Sequence, residues 1–375
     1  MNPNAGGVQM STCKLGRHFE AIGQEIGVFS FAQHGHADCE FGRLWSGAEP
    51  RGARNPVNLR ALENVLSEFR PQIVINQMPY EHDIGDLLRS RKEFLLLGCL
   101  RNTLFSVKGN LKAYVNRTAP SVIKGIAGIQ IVQKAFLAMH RRRHSRDLHR
   151  ILETYDYFVM FGPPNLEELE YFAPGYDRDK IRLIPNSIPE VADSPPRKEN
   201  RILWLGRLSR AQKQAELIPE VWRRVFERLP DWQLDVVGAG PDLAEIERQV
   251  TESSLPRVNF HGQQVPDSYY RRAAIFFMTS AFEGFPNTLV EAQSCAAIPV
   301  VFDSYPVARW IVDDGKSGFL IKPFDVEAMA DRIVYLARHP ERARFAEQSL
   351  ESARRFHIDQ VGKKWQELFD TSINR

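Results

Sequence analysis

Short apolar runs and amphipathic segments alternate along most of the chain, and this alternation predicts strands and helices in turn. In the first half, residues 26–31, 73–75, 94–100 and 157–161 have the length and residue types of buried strands. Residues 10–22 instead carry apolar side chains at helical spacing. Buried strands that alternate with helices predict an open, mostly parallel sheet with helices on both faces.

A second alternation begins near residue 200, after the polar and proline-rich segment 192–200, which has the composition of a linker. Its predicted strands cover residues 202–205, 234–237, 258–260, 275–278, 299–302 and 319–321. Helical patterns separate most of them, at residues 217–229, 243–250 and 326–337. We therefore predict two Rossmann-like domains, residues 1–191 and 200–355, followed by a C-terminal segment, 356–375, that contains a helix at 361–369.

The size and composition of the chain fit this organisation. A chain of 375 residues with 43% hydrophobic and 25% charged residues is an ordinary globular protein, long enough for two domains. No apolar run reaches membrane-spanning length, and the N-terminus shows no signal-peptide pattern. Cys13, Cys39, Cys99 and Cys295 are scattered without paired spacing. This spacing argues against a disulfide framework or a zinc site and predicts a reducing, cytoplasmic location.

The net charge of +3 conceals a strongly basic segment at residues 101–150. This segment contains eleven lysines and arginines and a single acid, Asp147, with apolar residues between the charges. Basic residues beside an apolar face are typical of a peripheral membrane surface, so we predict contact with the inner face of the cytoplasmic membrane. The alternative is a solvated basic helix packed on its own domain. Nucleic acid is not predicted, because aromatic platforms for base stacking are missing here.

The most informative motif spans residues 280–292, where Glu283 and Glu291 lie eight positions apart on either side of a Gly-Phe-Pro-Asn-Thr turn. An apolar strand-like run precedes the motif and a helix-like run, with Asn287 as its predicted N-cap, ends it. The first N–H groups of a helix have no partner within the helix, and its dipole is positive there. The motif therefore predicts an anion site with two carboxylates beside it.

A second motif, Gly206-Arg207-Leu208-Ser209, follows the first strand of the second alternation, and Lys213 comes six residues after Arg207. Together the two motifs resemble the donor domain of the family 4 retaining glycosyltransferases of the bacterial surface-polysaccharide type, over most of residues 180–340. That family has the GT-B fold, in which two Rossmann-like domains face a cleft. The resemblance implies that a sugar passes from a UDP- or GDP-linked donor to a glycan or lipid-linked acceptor with retention of configuration.

The resemblance also implies roles for individual residues. Glu283 would contact the donor sugar and Glu291 the ribose, while Arg207 and Lys213 would bind the diphosphate, so that no metal and no further cofactor is needed. The other donor contacts that it implies are Gly6, Gly7, Gly238, Gln263, Val265, Gly284, Phe285, Pro286, Asn287, Thr288 and Leu289.

On the acceptor side, many relatives carry a His after the strand equivalent to residues 94–100, and here Arg101 and Asn102 stand at that place. His82 is a rival candidate on another loop. The family also has a strand before its glycine loop, whereas Gly6 and Gly7 follow Met1 almost at once, so we expect the first parallel strand to be missing. Alternatives to transfer are a catalytically silent nucleotide-sugar-binding or scaffold subunit and a GT-B nucleotide-sugar epimerase.

Overall fold

A computed structural model describes residues 7–31, 41–47, 55–91, 93–106, 130–188 and 190–373. Gly6, the expected absence of a strand before it, and residues 107–129 of the basic segment lie outside this part of the chain. The chain divides into two compact units. Unit 1 comprises Met1–Arg101, Ala138–Pro189 and Phe356–Arg375, and unit 2 comprises Asn102–Leu137 and Glu190–Arg355.

The elements follow one another along the chain as the alternation predicts. Up to residue 188 they are α1 (Gly7–Ala21), β1 (Gly27–Ser30), β2 (Arg43–Ser46), α2 (Pro56–Phe69), β3 (Ile73–Asn76), α3 (His82–Arg91), β4 (Leu95–Cys99), α4 (Gln130–Thr154), β5 (Tyr157–Met160), α5 (Pro164–Phe172) and β6 (Ile181–Leu183). The next elements are β7 (Glu199–Leu205), α6 (Arg210–Lys213), α7 (Leu217–Val225), β8 (Gln233–Val237), α8 (Leu243–Glu252), β9 (Val258–Phe260), α9 (Asp267–Arg272) and β10 (Ala273–Met278). The last are α10 (Asn287–Ser294), β11 (Ile298–Phe302), α11 (Pro306–Ile311), β12 (Phe319–Ile321), α12 (Val326–Arg338), α13 (Arg342–Arg354) and α14 (Ile358–Ile373).

Unit 1 is built on a parallel sheet in the order β3-β4-β5-β6, and β1 and β2 form a separate parallel pair. The side chains of β4 and β5 are largely buried, as expected of strands covered on both faces. Phe19 of α1 packs in the same core cluster as Leu97 of β4 and Trp365 and Phe369 of α14. The last helix of the chain therefore completes the core of the unit in which the chain begins.

Unit 2 is built on a six-stranded parallel sheet in the order β12-β11-β10-β7-β8-β9. Every residue of β10 and of β11 is buried. Capping fixes where individual helices begin: the Asp325 carboxylate accepts a hydrogen bond of 2.9 Å from the Ala328 N–H at the start of α12. The predicted α/β class with parallel sheets is confirmed.

Several sequence expectations need correction. Residues 199–200 belong to β7 and not to the linker. Glu199 pairs with Ala273 of β10, and Asn200 continues the same strand. Strands β2 and β6 were not predicted, since β2 is mostly exposed and β6 is only three residues long. Cys13 is disulfide-bonded, whereas Cys99 and Cys295 are free, so scattered spacing did not exclude a disulfide.

Among the described residues, no helix combines the length and the apolar character that a membrane span requires.

Two histidines on α4 pack against each other and against α5 in unit 1. The rings of His140 and His144 have centroids 4.3 Å apart, and both pack against Phe172 of α5. Burial, followed by the charges of His144 and Arg143, lowers the pKa of His140 to about 4. Burial likewise lowers the pKa of His144. The folded protein therefore disfavours protonation of this pair.

We expect the free energy of unfolding to fall as the pH drops from 6.5, the ordinary His pKa, towards about 4. In this window the unfolded chain binds protons that the folded chain does not, so stability rises with pH and is lost on acidification. Urea titrations at about pH 7 and about pH 5 measure the loss. His140→Phe, which keeps a ring but cannot titrate, should show a smaller loss, and an unchanged loss would contradict the assignment.

Candidate functional site

The candidate site lies at the carboxyl ends of β7 and β10. In an open parallel sheet, ligands bind outside the carboxyl ends of the strands, at the point where the strand order reverses. Strand β7 lies between β8 and β10, so the order reverses between β7 and β10. The two predicted motifs follow these two strands, and the fold therefore brings them to the same edge.

An ion pair joins the two motifs. Lys213 Nζ lies 2.6 Å from Glu283 Oε1, and their side chains are only 16% and 7% exposed. Gln212 Nε2 donates to the other oxygen, Glu283 Oε2, at 3.2 Å. Each oxygen of the Glu283 carboxylate thus has a partner, and one of the two partners, Lys213, is charged. Such a site presents an ammonium and a carboxylate side by side at the sheet edge, where both can be shared with a polar ligand.

Backbone contacts fix the pair in place. The Ala281 N–H donates to the Gln212 carbonyl oxygen at 2.7 Å, and the Thr279 hydroxyl donates to the Lys213 carbonyl oxygen at 2.7 Å. The Trp204 indole of β7 donates to Thr279 Oγ1 at 3.1 Å. The short helix α6 is therefore tied to the loop after β10, so the Lys213 ammonium is held where it is. Sequence reasoning did not identify Gln212, Thr279 or Trp204, and no local pattern distinguishes them.

Arg207 behaves differently from Lys213. It is exposed, and within the described part of the chain it makes no hydrogen bond or ion pair. The structure therefore places Arg207 in the loop between β7 and α6, the short helix that ends at Lys213. Its predicted contact with a diphosphate remains a prediction.

The start of α10 differs from the prediction. Asn287 is the first helical residue and Pro286 precedes it, so Asn287 is not the N-cap. The Asn287 N–H donates to the Phe285 carbonyl and the Leu289 N–H to the Pro286 carbonyl, each at 3.0 Å. These two N–H groups are thus occupied by local backbone turns. Thr288 keeps a buried hydroxyl oxygen without a hydrogen-bond partner, which leaves a polar group at the helix start for a ligand.

Glu291 lies on the same helix, half-buried. The Tyr270 hydroxyl on α9 donates to Glu291 Oε2 at 3.0 Å. Burial, followed by the neighbouring Glu291 charge, raises the pKa of Tyr270, so this hydroxyl keeps its proton and remains a donor. The bond orients one oxygen of the carboxylate. Tyr270 is a further residue that the sequence did not identify.

Glycines let three loops approach each other at this edge. Gly238, after β8, has a φ of +137°, and a Cβ there would collide with the Gly206 carbonyl oxygen. The Gly206 N–H donates to the Val237 carbonyl at 3.0 Å, and the Gly238 N–H donates to the Gly262 carbonyl at 2.7 Å. Gly238 therefore has a structural role irrespective of any ligand, and its predicted donor contact stays a prediction.

The remaining predicted donor residues fall into two groups. Gly284, Phe285 and Pro286 are buried in the loop before α10. Gln263 and Val265 follow β9 and are exposed, Val265 at 77%. The structure places all five in unit 2, and their contact with a nucleotide remains a prediction.

The acceptor-side candidates occupy separate positions. His82 Nε2 lies 3.2 Å from Asp147 Oδ1, a partner that the sequence did not indicate. Arg101 Nη1 donates to Asn186 Oδ1 at 3.4 Å. Asn102 is exposed, and its side-chain oxygen accepts from the Thr103 N–H at 2.9 Å. Gly7 is the first residue of α1, and its carbonyl accepts from the Ser11 hydroxyl at 2.9 Å.

Comparison with known proteins places this geometry in context. Residues 190–351 match the family described as glycosyl transferases group 1. The amylovoran biosynthesis glycosyltransferase AmsD of Erwinia amylovora is 26% identical over 189 residues, 49% of this chain and 52% of AmsD. The GDP-mannose-dependent alpha-(1-6)-phosphatidylinositol monomannoside mannosyltransferase of Mycolicibacterium smegmatis is 25% identical over 328 residues, 80% of each chain.

Solved structures agree on the fold. The crystal structure of Anabaena Alr3699/HepE in complex with UDP-glucose matches with a TM-score of 0.71 at 14% identity, over 98% of this chain and 96% of that one. This likeness shows that the fold is GT-B. The chain spans only part of several curated relatives, namely 21%, 31% and 52% of the length of three of them.

We expect Gly238→Ala to destabilise unit 2 by about 2 kcal/mol or more, because the new methyl group meets a backbone oxygen that cannot move aside cheaply. Thermal or urea unfolding measures the loss. Gly315→Ala is the matched control, since Gly315 also has a positive φ, +73°, but nothing within 4 Å of the added Cβ. Equal losses in the two variants would show that backbone strain, and not the close approach of the loops, accounts for the effect.

Proposed function

From the match of residues 190–351 to the family described as glycosyl transferases group 1, we propose that the protein transfers a sugar from a nucleotide-diphosphate sugar to a glycan or lipid-linked acceptor. The observation that carries the proposal is the buried Lys213–Glu283 pair at the point where the strand order reverses. A cation and a carboxylate held together at a ligand-binding edge suit a substrate that is both anionic and rich in hydroxyl groups.

The reaction breaks the bond between the anomeric carbon and a diphosphate oxygen, and the electron pair leaves with the diphosphate. We assign Lys213 to that developing charge, because a cation fixed in advance stabilises it without reorganisation. Arg207, exposed on the loop just before α6, adds a second cation. With these two charges the diphosphate can leave without a metal ion.

Glu283 is assigned to the sugar hydroxyls, and Glu291, oriented by Tyr270, to the ribose. Retention of configuration follows if the acceptor oxygen bonds to the anomeric carbon on the face that the diphosphate leaves. The acceptor hydroxyl then gives its proton to the departing diphosphate, so no protein base is required. Thr288, with its unpartnered hydroxyl, is the residue at the start of α10 best placed to contact the phosphates.

Two bases are candidates for the nucleotide. Alr3699/HepE was crystallised with UDP-glucose, and the mycobacterial relative is GDP-mannose-dependent. We propose a UDP- or GDP-linked donor on this basis. The names of the relatives likewise support an acceptor in polysaccharide or lipid-linked glycan synthesis.

We also propose that part of α4 contacts an anionic membrane surface. Met139, Arg142, Arg143 and Arg146 are exposed and share one helix face, and the Met139 side chain is 63% exposed. Cations beside an apolar side chain are attracted to acidic headgroups on the cytoplasmic leaflet. This face would bring the enzyme to a lipid-linked acceptor.

We expect Lys213→Ala to lower turnover about a hundredfold or more, as when a preorganised charge contact is lost. Glu283→Gln should also reduce turnover strongly, because an amide cannot replace the second acceptor oxygen. UDP and GDP are first tested for stabilisation of the wild type against thermal unfolding. Release of UDP from UDP-glucose, or of GDP from GDP-mannose, then measures the rate.

The matched control is Lys316→Ala, which removes an exposed lysine of unit 2 that lies 3.8 Å from Asp313. It should leave the rate unchanged. Near-wild-type turnover of Lys213→Ala would remove Lys213 from the site, and a wild type that neither UDP nor GDP stabilises would reject the proposed function.

For the membrane face, we expect combined Arg142→Glu, Arg143→Glu and Arg146→Glu to weaken binding to phosphatidylglycerol-containing vesicles about a hundredfold or more. Each basic residue near an anionic surface contributes about 1 kcal/mol, and reversal replaces attraction by repulsion. Flotation of the full chain with these vesicles, at low and at high salt, measures the binding.

The control carries the same charge change on α7 and the turn after it, as Arg223→Glu, Arg224→Glu and Arg228→Glu, all exposed positions of unit 2. Equal losses in the two triple variants would show a general charge effect. Wild-type binding that is absent, or insensitive to salt, would favour an acceptor free in solution.

A further inference from the structure

Unit 1 has a pocket at the carboxyl edge of its sheet, and both polar and apolar residues line it. The pocket is lined by residues that follow β3, β4, β5 and β6, together with residues of α1 and α14. Gln77 follows β3, Arg101 follows β4, and Asn186 lies beyond β6. The carboxyl edge is where ligands enter parallel sheets, so a pocket of this composition here is a candidate binding site.

Arg101 is unusual among the arginines of this unit. Its Nε is buried and has no hydrogen-bond partner, and its contact with Asn186 is long, at 3.4 Å. Within the described residues no carboxylate lies within ion-pair distance of it, and its other neighbour is the buried thiol of Cys99. Arginines of the same unit such as Arg89 instead pair with an acid, Asp156 at 2.7 Å.

A guanidinium that is partly buried without an acid beside it is costly to maintain. Burial lowers the pKa of Arg101, yet a guanidinium remains charged at neutral pH, so this cation has no carboxylate beside it among the described residues. An anion that enters would supply the missing partner through charge-assisted hydrogen bonds. The pocket has a volume of about 20 Å³, enough for a water-sized group such as one oxygen of a carboxylate or phosphate.

Gln77 adds a second requirement. Its side-chain oxygen is buried in the same pocket without a hydrogen-bond donor. A hydroxyl group of a ligand would satisfy it. The pocket is therefore complementary to a ligand that carries an anionic group and a hydroxyl close together, which is the chemistry of a sugar acid or a sugar phosphate.

We propose that Arg101 binds a carboxylate or phosphate group on a sugar substrate, while Gln77 accepts a hydrogen bond from a neighbouring hydroxyl. Only the identification of this ligand as a substrate rests on the proposed function. The binding site itself lies wholly within unit 1. It makes the protein selective for a negatively charged sugar. Position 101 would then confer charge specificity.

The test compares three probes on the full-length protein by ligand-observed NMR titration: glucuronate, glucose 6-phosphate and glucose. We expect one or both of the anionic probes to bind about tenfold or more tightly than glucose, as for hydrogen bonds to a charged group. Preference for glucuronate identifies a carboxylate, and preference for glucose 6-phosphate identifies a phosphate. Arg101→Gln should abolish the preference.

Arg89→Gln is the matched control, because it removes one positive charge from the same unit at an exposed, paired position. It should keep the preference. The proposal is overturned if the wild type binds neither anion better than glucose, or if Arg101→Gln binds them as the wild type does.

A second measurement avoids reliance on a folded variant. Cys99 is buried and its thiol contacts Arg101, so a bound anion should slow the modification of Cys99 by a thiol reagent in the wild type. Cys295, the buried free cysteine in unit 2, is the internal reference and should be unaffected. Equal rates with and without the anion would count against the site.

The two proposals can fail separately. If UDP or GDP binds but neither anion responds to Arg101, only the charge specificity is wrong. If binding of the anions depends on Arg101 but no nucleotide binds, the proposed site in unit 1 is supported and the transferase function is rejected.

Discussion

The position of β7 in the middle of its sheet is the constraint on which the rest of unit 2 depends. Strands β8 and β10 flank it, all parallel, so the chain leaves β7 towards one side and returns on the other. The loops after β7 and β10 therefore lead away in opposite directions and leave a crevice between them at the carboxyl edge of the sheet. Trp204, whose indole reaches Thr279, joins the two strands at that level. A site made from two distant motifs follows from this topology.

The ion pair at the site resolves a problem of burial. A lysine and a glutamate that are both mostly buried would each be costly alone, and a single short contact offsets much of that cost. The pair is electrically neutral as it stands. An incoming diphosphate would bring excess negative charge to a lysine that is already positioned, while the carboxylate stays available to hydroxyl groups. The same contact thus accounts for how two charged side chains can both be mostly buried at this edge of the sheet.

Much of the fold can be predicted from local patterns, because buried parallel strands read as short apolar runs. The bounds of β9 and β12 agree with their apolar runs, whereas β2, with its exposed residues, carries no such pattern. Glu283 and Lys213 could each be predicted as site residues from their own motifs. Their direct contact could not, since the two lie 70 residues apart and only the sheet order brings them together.

The same limit applies to details of the loops. Asn287 has the preferred chemistry of a cap, but local backbone bonds at Phe285 and Pro286 satisfy the helix start without it. Gly238 is recognisable as a loop glycine, while the reason for it, a carbonyl oxygen of Gly206 in a different loop, is visible only in three dimensions. Charge on Arg101 is plain from the sequence, but the absence of an acid beside it in the described structure is not.

The packing of α14 against α1 bears on the order in which the two cores can form during synthesis. Val361, Trp365 and Phe369 are buried in the core that Phe19 also occupies, so that core is incomplete until residues 361–369 have been synthesised. Unit 2 is encoded between the pieces of unit 1 and has its complete core earlier. We therefore expect the core of unit 1 to be completed after that of unit 2 during synthesis.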